Sequence, residues 1–256
     1  MIDIHAHVLP GLDDGPANMD ESLALARAAV EDSIHVVVAS PHMLDGVYNT
    51  SRAEVFAGVA ELNDTLKEHG IRVSVLVGAD VHAETELPRL LREGELITIA
   101  DLGKHLMLEL PSDVVPRDLD QLLFSLQLQG VQPIVSHPER NRVIQEDPAE
   151  LLPLVQVGCL TQVTASSIVG EFGTHVQDCA RELFERRLVH LIATDMHGVH
   201  RRRPRLSQAA ARAMEWMGRE EAYVILEVNP QALLRGEHID APEPVQPRPR
   251  RKWFFW

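Results

Sequence analysis

The hydrophobic pattern of this chain changes period again and again. Short apolar runs with strand-like spacing alternate with longer stretches whose apolar residues recur every three or four positions. The strand-like runs are Ile2–His7, Ile34–Ser40, Ile71–Gly78, His105–Leu110, Gln132–Ser136, Cys159–Thr164 and Val189–Thr194. Ile34–Ser40 (IHVVVAS) is apolar through its centre, as a parallel strand covered on both faces must be. Between the runs, Asn18 with Glu21 and Ser51 with Glu54 form capping-box patterns that open helices, the second running toward His69-Gly70. Further helices are predicted around Glu86–Arg92, over Arg117–Gln129, from the Asp147-Pro148 start, over Thr174–Arg187, and near Leu206–Met217, Glu220–Leu226 and Asn229–Leu234.

Seven strand–helix repeats without a clear break argue for a closed or nearly closed parallel barrel, with a doubly wound open sheet as the alternative. The length, 256 residues, suits one barrel or two small domains. We expect one domain over residues 1–240. The remainder, 241–256, is proline-rich and ends in Arg250-Arg251-Lys252-Trp253-Phe254-Phe255-Trp256, and it reads as a flexible tail. Its basic and aromatic residues could make weak contact with an anionic membrane or a partner. A disordered end or a packing extension is the simpler reading.

A net charge of -14 argues against nucleic-acid binding through a broad basic face. No apolar run reaches membrane-spanning length, and the N-terminus has no signal-peptide pattern, so a cytoplasmic location is expected. The two cysteines, Cys159 and Cys179, form no Cys-x-x-Cys motif, and neither has an arginine six positions on. Thiol-based phosphate chemistry is disfavoured.

Function in a parallel barrel gathers at the C-terminal ends of strands. Here His5 and His7 end the first strand, one residue apart and so on one face, with Asp13 and Asp14 soon after. His42 follows the second strand, Asp80 the third, Glu109 ends the fourth, His137 follows the fifth, and Asp195 and His197 follow the seventh. Only the sixth lacks an obvious ligand. His35, His69, His105, His175, His190 and His238 read as ordinary surface or core histidines, and His82 and His200 are ambiguous. Packing would fill strand ends with Val or Leu rather than with groups that are costly to bury unpaired. Counting one of Asp13 and Asp14, nine such residues exceed the needs of one ion and suit two or three, with a carboxylate between them. Mixed imidazole and carboxylate donors accommodate Mn, Fe or Zn, and clustered divalent ions serve phosphoester hydrolysis.

The segments MIDIHAHVLPGLDDGP, SPH, LEL, SHPER and TDMH resemble the PHP (polymerase and histidinol phosphatase) superfamily. Within it they are most similar to the bacterial metal-dependent protein-tyrosine phosphatases that control capsule and exopolysaccharide synthesis, from Met1 to about Arg235. The resemblance implies an α/β fold, a distorted seven-stranded TIM-like (β/α)7 barrel. It also implies three divalent ions, usually manganese with Fe, Zn or Mg as alternatives, and a phosphotyrosine substrate on a tyrosine autokinase. On that resemblance His5, His7 and Asp195 hold one ion and Asp80 bridges it to a second completed by Glu109 and His137. Asp14, His42 and His197 hold the third, with Asp13 as the substitute for Asp14. Arg140 matches the family's phosphate-binding arginine, and Arg202 and Arg203 are carried jointly for a second one in the Arg201-Arg202-Arg203 run. Glu139 is either an orienting group or half of a surface salt bridge. The chain departs from the family at Asp80, where glutamate is usual, while Glu84 nearby is expected to face solvent. Other readings are a histidinol-phosphate phosphatase or related small-molecule phosphoesterase, a metal-stabilised scaffold that binds a kinase, and a barrel nuclease of the His-x-His type.

Overall fold

A computed structural model describes residues 1–48 and 50–245. The strands among them are β1 (Ile2–Ala6), β2 (Val36–Ala39), β3 (His42–Met43), β4 (Ser74–Val77), β5 (Asp80–His82), β6 (His105–Glu109), β7 (Gln132–Ser136), β8 (Leu160–Thr164) and β9 (Leu191–Ala193). Every pairing is parallel. They form two sheets, ordered β1-β2-β4 and β3-β5-β6-β7-β8-β9. The α/β class and the parallel order agree with the sequence reading, but among the described residues no single sheet closes on itself.

Two short strands lie beyond the expected seven. The second predicted strand is β2, and Pro41, which has no N–H for the ladder, separates it from β3. The third is β4, separated from β5 at Gly78-Ala79, where the chains pass so closely that a Cβ on Gly78 would lie 2.5 Å from Val38 Cγ1. On the other side, β1 and β9 meet through one isolated bridge, Ala6 to Met196. It is flanked by Asp195 N–H donating to His5 O and His7 N–H donating to Met196 O, both at 2.9 Å. A ladder does not develop there, since Asp195 turns the chain out of extended backbone with φ +52°.

The helices form where the pattern places them. Asn18 Oδ1 accepts the Glu21 N–H at 3.0 Å at the start of Met19–Glu31. The Ser51–Glu54 capping box opens Arg52–Glu68, whose buried Val55, Val59, Leu62 and Leu66 repeat at the helical period. These residues belong to the larger apolar core, between strands and helices. A smaller core takes Ile4, Val38, Met107, Ile134, Leu160 and Leu191 from strands of both sheets. Ala232 and Leu233 of the helix Asn229–Leu234 join it. The Gln132 side chain, at the start of β7, bonds the backbone of Ile239 at both its N–H and its carbonyl. The C-terminal segment therefore covers the N-terminal ends of the strands and leaves the opposite ends for chemistry. The predicted Glu220–Leu226 helix is a short helix, Arg219–Tyr223, continued by a π-helical turn over Val224–Val228.

Of the sequence's expected tail, Ala241 packs on the apolar cores and the Val245 N–H donates to Arg186 O at 2.9 Å. The Arg248–Trp256 stretch lies outside the described residues. No helix among the described residues is long and apolar enough to cross a membrane. The close approach at Gly78 gives a direct test. Gly78→Ala should lower unfolding stability by about 1–3 kcal/mol through overpacking against Val38, read as a drop in denaturation midpoint at unchanged m-value.

Candidate metal centre

The C-terminal ends of the strands deliver ionisable side chains to one place. His5 and His7 leave β1 and bring their Nε2 atoms within 3.3 Å of each other. His5 Nε2 lies 3.6 Å from Asp80 Oδ2 and 3.5 Å from Asp195 Oδ1, and His7 Nε2 lies 3.5 Å from the same Asp195 oxygen. Across the site, His137 Nε2 is 3.5 Å from Asp80 Oδ2 and 3.7 Å from Glu109 Oε1. His42 stands between two acids, with Nδ1 3.3 Å from Glu109 and Nε2 3.6 Å from Asp14. His197 Nε2 is 3.0 Å from Asp14 Oδ1, and its ring stacks on His7 with centroids 3.8 Å apart. All nine expected ligands converge.

Three overlapping groups have donor atoms within 4.8 Å of one another: His7, Asp14, His42 and His197; His5, His7 and Asp80; and His42, Asp80 and Glu109. His7, His42 and Asp80 each belong to two groups. The sequence-derived division differs, pairing His7 with His5 and Asp195 alone. Asp80, despite its short side chain, reaches both His5 and His137 through one oxygen, as a shared carboxylate must.

The electrostatics follow from burial. Burial, reinforced by His197, lowers the His7 pKa to about 4, and His5 is lowered chiefly by burial too. His42 goes the other way: burial opposes its charge, but Glu109, Asp80 and Asp14 outweigh it and raise the pKa to about 9. Burial works against ionising Asp80, yet His5, His137 and His42 hold it below the usual carboxylate range. Asp195 is likewise held well down against burial, by Arg202 first and then His5 and Arg140.

Supporting contacts orient this set. Asp13 does not enter the cluster. Its Oδ2 takes the His7 Nδ1 hydrogen at 2.6 Å and the His42 N–H at 3.2 Å, and its Oδ1 takes the Gly15 N–H at 2.9 Å. That leaves His7 Nε2 facing the cluster, and of the two neighbouring acids it is Asp14 that joins His7, His42 and His197 there. The sixth strand, which seemed empty in sequence, supplies Gln162, whose Oε1 lies 2.8 Å from His5 Nδ1 and fixes that ring in the same way. Ser136 donates to Asp80 Oδ1 at 2.9 Å. Asp3, raised to about 7 by burial, accepts the Thr194 N–H at 2.9 Å and also its hydroxyl, tying β1 to the end of β9. Glu139 is fully buried rather than in a surface salt bridge. Its Oε1 accepts the Thr164 N–H at 3.0 Å and the Ser167 hydroxyl at 2.6 Å, and burial pushes its pKa up. Gln162 and Thr164 escaped the sequence reading because amides and hydroxyls are not the residue types a ligand search picks out.

Arg140 Nη1 donates to Asp195 Oδ2 at 2.7 Å, and Arg202 Nη2 donates to the same oxygen. Arg202 is carried in by its own backbone carbonyl, which accepts the His197 N–H at 2.8 Å. Arg203 is exposed. Glu84 is exposed as expected, and neither His82 nor His200 joins a cluster among the described residues. His137, Asp195 and Arg202 all carry positive φ (+32°, +52° and +51°), strain that places three functional side chains on tight turns.

The residues fit divalent metal. Asp80 Oδ2, Asp195 Oδ1 and His42 Nδ1 are buried, face the cluster and have no hydrogen-bond partner. Leaving such atoms unpaired is costly, and nitrogen and oxygen donors in this mixture suit Mn, Fe or Zn.

A fold of parallel strands with ionisable groups converging at one set of strand ends defines a metal-site protein of the α/β class. The chain belongs to the CpsB/CapC family of capsular polysaccharide synthesis, which it matches over residues 1–235. It is 38% identical over 254 residues to tyrosine-protein phosphatase YwqE of Bacillus subtilis, covering 99% of each chain. It is 25% identical to tyrosine-protein phosphatase CpsB of Streptococcus agalactiae, covering 93% of this chain and 100% of that one. A solved structure from work on YwqE of Bacillus subtilis and CpsB of Streptococcus pneumoniae, described as unique metal-dependent tyrosine phosphatases, superposes with TM-score 0.92. It is 36% identical and the match covers 96% of this chain and 100% of that one.

The Asp13–His7 contact can be checked alone. Asp13→Asn turns an N–H₂ or a weaker acceptor toward His7 and disfavours the tautomer that frees Nε2. Titration with Mn²⁺ should show about 10- to 100-fold weaker binding with the circular dichroism spectrum retained.

Proposed function

We propose that this protein is a metal-dependent protein-tyrosine phosphatase acting on a bacterial tyrosine autokinase of capsular or exopolysaccharide synthesis. The observation that carries the reading is Asp195: one oxygen faces His5 and His7 and the other takes both Arg140 and Arg202. Metal ligands and guanidinium forks thus share an edge, which is what a phosphate held between ions and arginines needs. The kinship with proteins named tyrosine-protein phosphatases supplies the substrate class.

In this reading His5, His7 and Asp195 hold one ion, Glu109 and His137 a second with Asp80 between them, and Asp14, His42 and His197 a third. His7 lies near enough to Asp14, His42 and His197 to be shared with that third position. We expect three ions, with manganese the first choice and Fe, Zn or Mg as alternatives. Bound divalent ions supply Lewis-acid stabilisation and water of lowered pKa. Arg140 and Arg202 grip the outer phosphate oxygens through planar forks, releasing Asp195 Oδ2 as they do so. Asp13 and Gln162 keep His7 and His5 in the coordinating tautomer. The phenolate of tyrosine, with a parent pKa near about 10, leaves without demanding a dedicated acid. The two sheets correspond to a distorted seven-stranded barrel whose second and third strands are kinked. Residues 1–240 form the phosphatase unit with 241–256 appended, and the protein works in the cytoplasm on a phosphorylated kinase.

Hydrolysis of a phosphotyrosine peptide tests the reading. Stripping metal with a chelator should lower turnover at least about 100-fold and Mn²⁺ should restore it. His137→Ala or Asp195→Ala should abolish it without loss of fold. A faster reaction with histidinol phosphate than with the peptide would move the protein to the small-molecule phosphoesterases. Between the arginines, Arg202→Ala should lower kcat/KM by about 10- to 100-fold and Arg203→Ala by less than about 2-fold, measured on the same peptide.

A further inference from the structure

Aromatic residues are only 4% of this chain, yet two of them stand against side chains of the site, one on His42 and one on Arg140. Tyr48, in the loop after β3, lays its ring nearly parallel to His42, with centroids 6.0 Å apart and an interplanar angle of 11°. Phe172, in the loop after the short helix Ala165–Ile168, lies under the Arg140 guanidinium, whose central carbon is 5.3 Å from the ring centroid. Both side chains are half-buried, so each keeps an accessible face.

Neither placement is loose. Asp45 Oδ1 accepts the N–H groups of Val47 and Tyr48 at 2.8 and 2.7 Å, which folds the Tyr48 loop back toward His42. Phe172 sits between Gly170 and Gly173, both with positive φ (+87° and +91°). The neighbouring Glu171 is held by the Ser166 hydroxyl at 2.7 Å and by Arg205. Ordered loops thus present two rings beside the groups that grip ions and phosphate.

We propose that Tyr48 and Phe172 are specificity-determining residues that select aryl over alkyl phosphates by flanking the phenyl ring attached to the bound phosphate. This rests on the reading of the site as a phosphatase and adds to it the side chains that recognise the leaving group. A planar ring gains from faces and edges of other rings, and a phosphoserine side chain has no such surface to offer. Phe172 also backs the Arg140 guanidinium with its face, so the same ring supports the arginine that grips phosphate and stands beside the group attached to it.

The test uses the full-length, manganese-loaded protein and two readouts. In turnover, kcat/KM is compared for a phosphotyrosine peptide and the phosphoserine peptide of the same sequence. In calorimetry, phenylphosphonate and methylphosphonate report binding with no reaction. Tyr48→Ala and Phe172→Ala should each lower the aryl-to-alkyl ratio about 3- to 10-fold in both readouts, with the turnover change mainly in KM. Tyr48→Phe, which keeps the ring, should restore the ratio. Proportional losses on both substrates would instead assign the rings to holding His42 and Arg140 in place, and an unchanged ratio would deny them any contact with the leaving group. Either result overturns the proposal. If the wild-type protein turns over no phosphomonoester, the phosphatase reading falls, while the phosphonate ratio still decides the role of the two rings.

Discussion

Two carboxylates withdrawn from water, Asp80 and Asp195, set the terms for the rest of this molecule. A buried carboxylate must be answered by positive charge or hydrogen-bond donors, and each answer here fixes a different part of the fold. Asp195 draws in Arg140 from the turn after β7 and Arg202 from the loop after β9. Asp80 is answered by Ser136 on one oxygen and by His5 and His137 around the other. The loops at this end of the strands are therefore organised by electrostatic demand rather than by apolar packing. The opposite end is closed by hydrophobic contact, with Ala232, Leu233 and Ile239 over the inner core.

That division of labour explains the strain at the site. His137 and Asp195 end their strands with positive φ, a cost that apolar packing alone would not sustain. Turning the chain sharply lets a residue just beyond a strand aim inward while the following segment departs for the surface. The break between β4 and β5 at Gly78 does similar work by letting Asp80 begin a new short strand beside His42.

Much of this was legible in the sequence. Strand ends carrying His5, His7, Glu109, His137 and Asp195 stood out because ionisable residues there have no packing role. The choice between neighbours was not legible. Asp13 and Asp14 are adjacent and chemically identical, and only the turn that holds Gly15 against Asp13 sends one to His7 and the other to the cluster. Arg202 and Arg203 differ in the same way, through the hydrogen bond from His197 to the Arg202 carbonyl. Gln162 was passed over because its amide binds a ligand's ring, not an ion. The barrel expectation missed the split sheets because β3 and β5, beyond Pro41 and Gly78, are only 2 and 3 residues long and show no period of their own.

The bond between Asp3 and Thr194 joins residues 191 positions apart. It ties β1 to the end of β9, and the candidate metal centre lies on that seam. On a ribosome, His5 and His7 emerge long before the carboxylate and arginine they will face. The centre cannot be assembled piecemeal as its parts appear. It is completed only when the seam shuts, which waits on a contact of long sequence separation. A nascent fragment that stops short of Asp195 holds imidazoles in the right order and has no site to put them in.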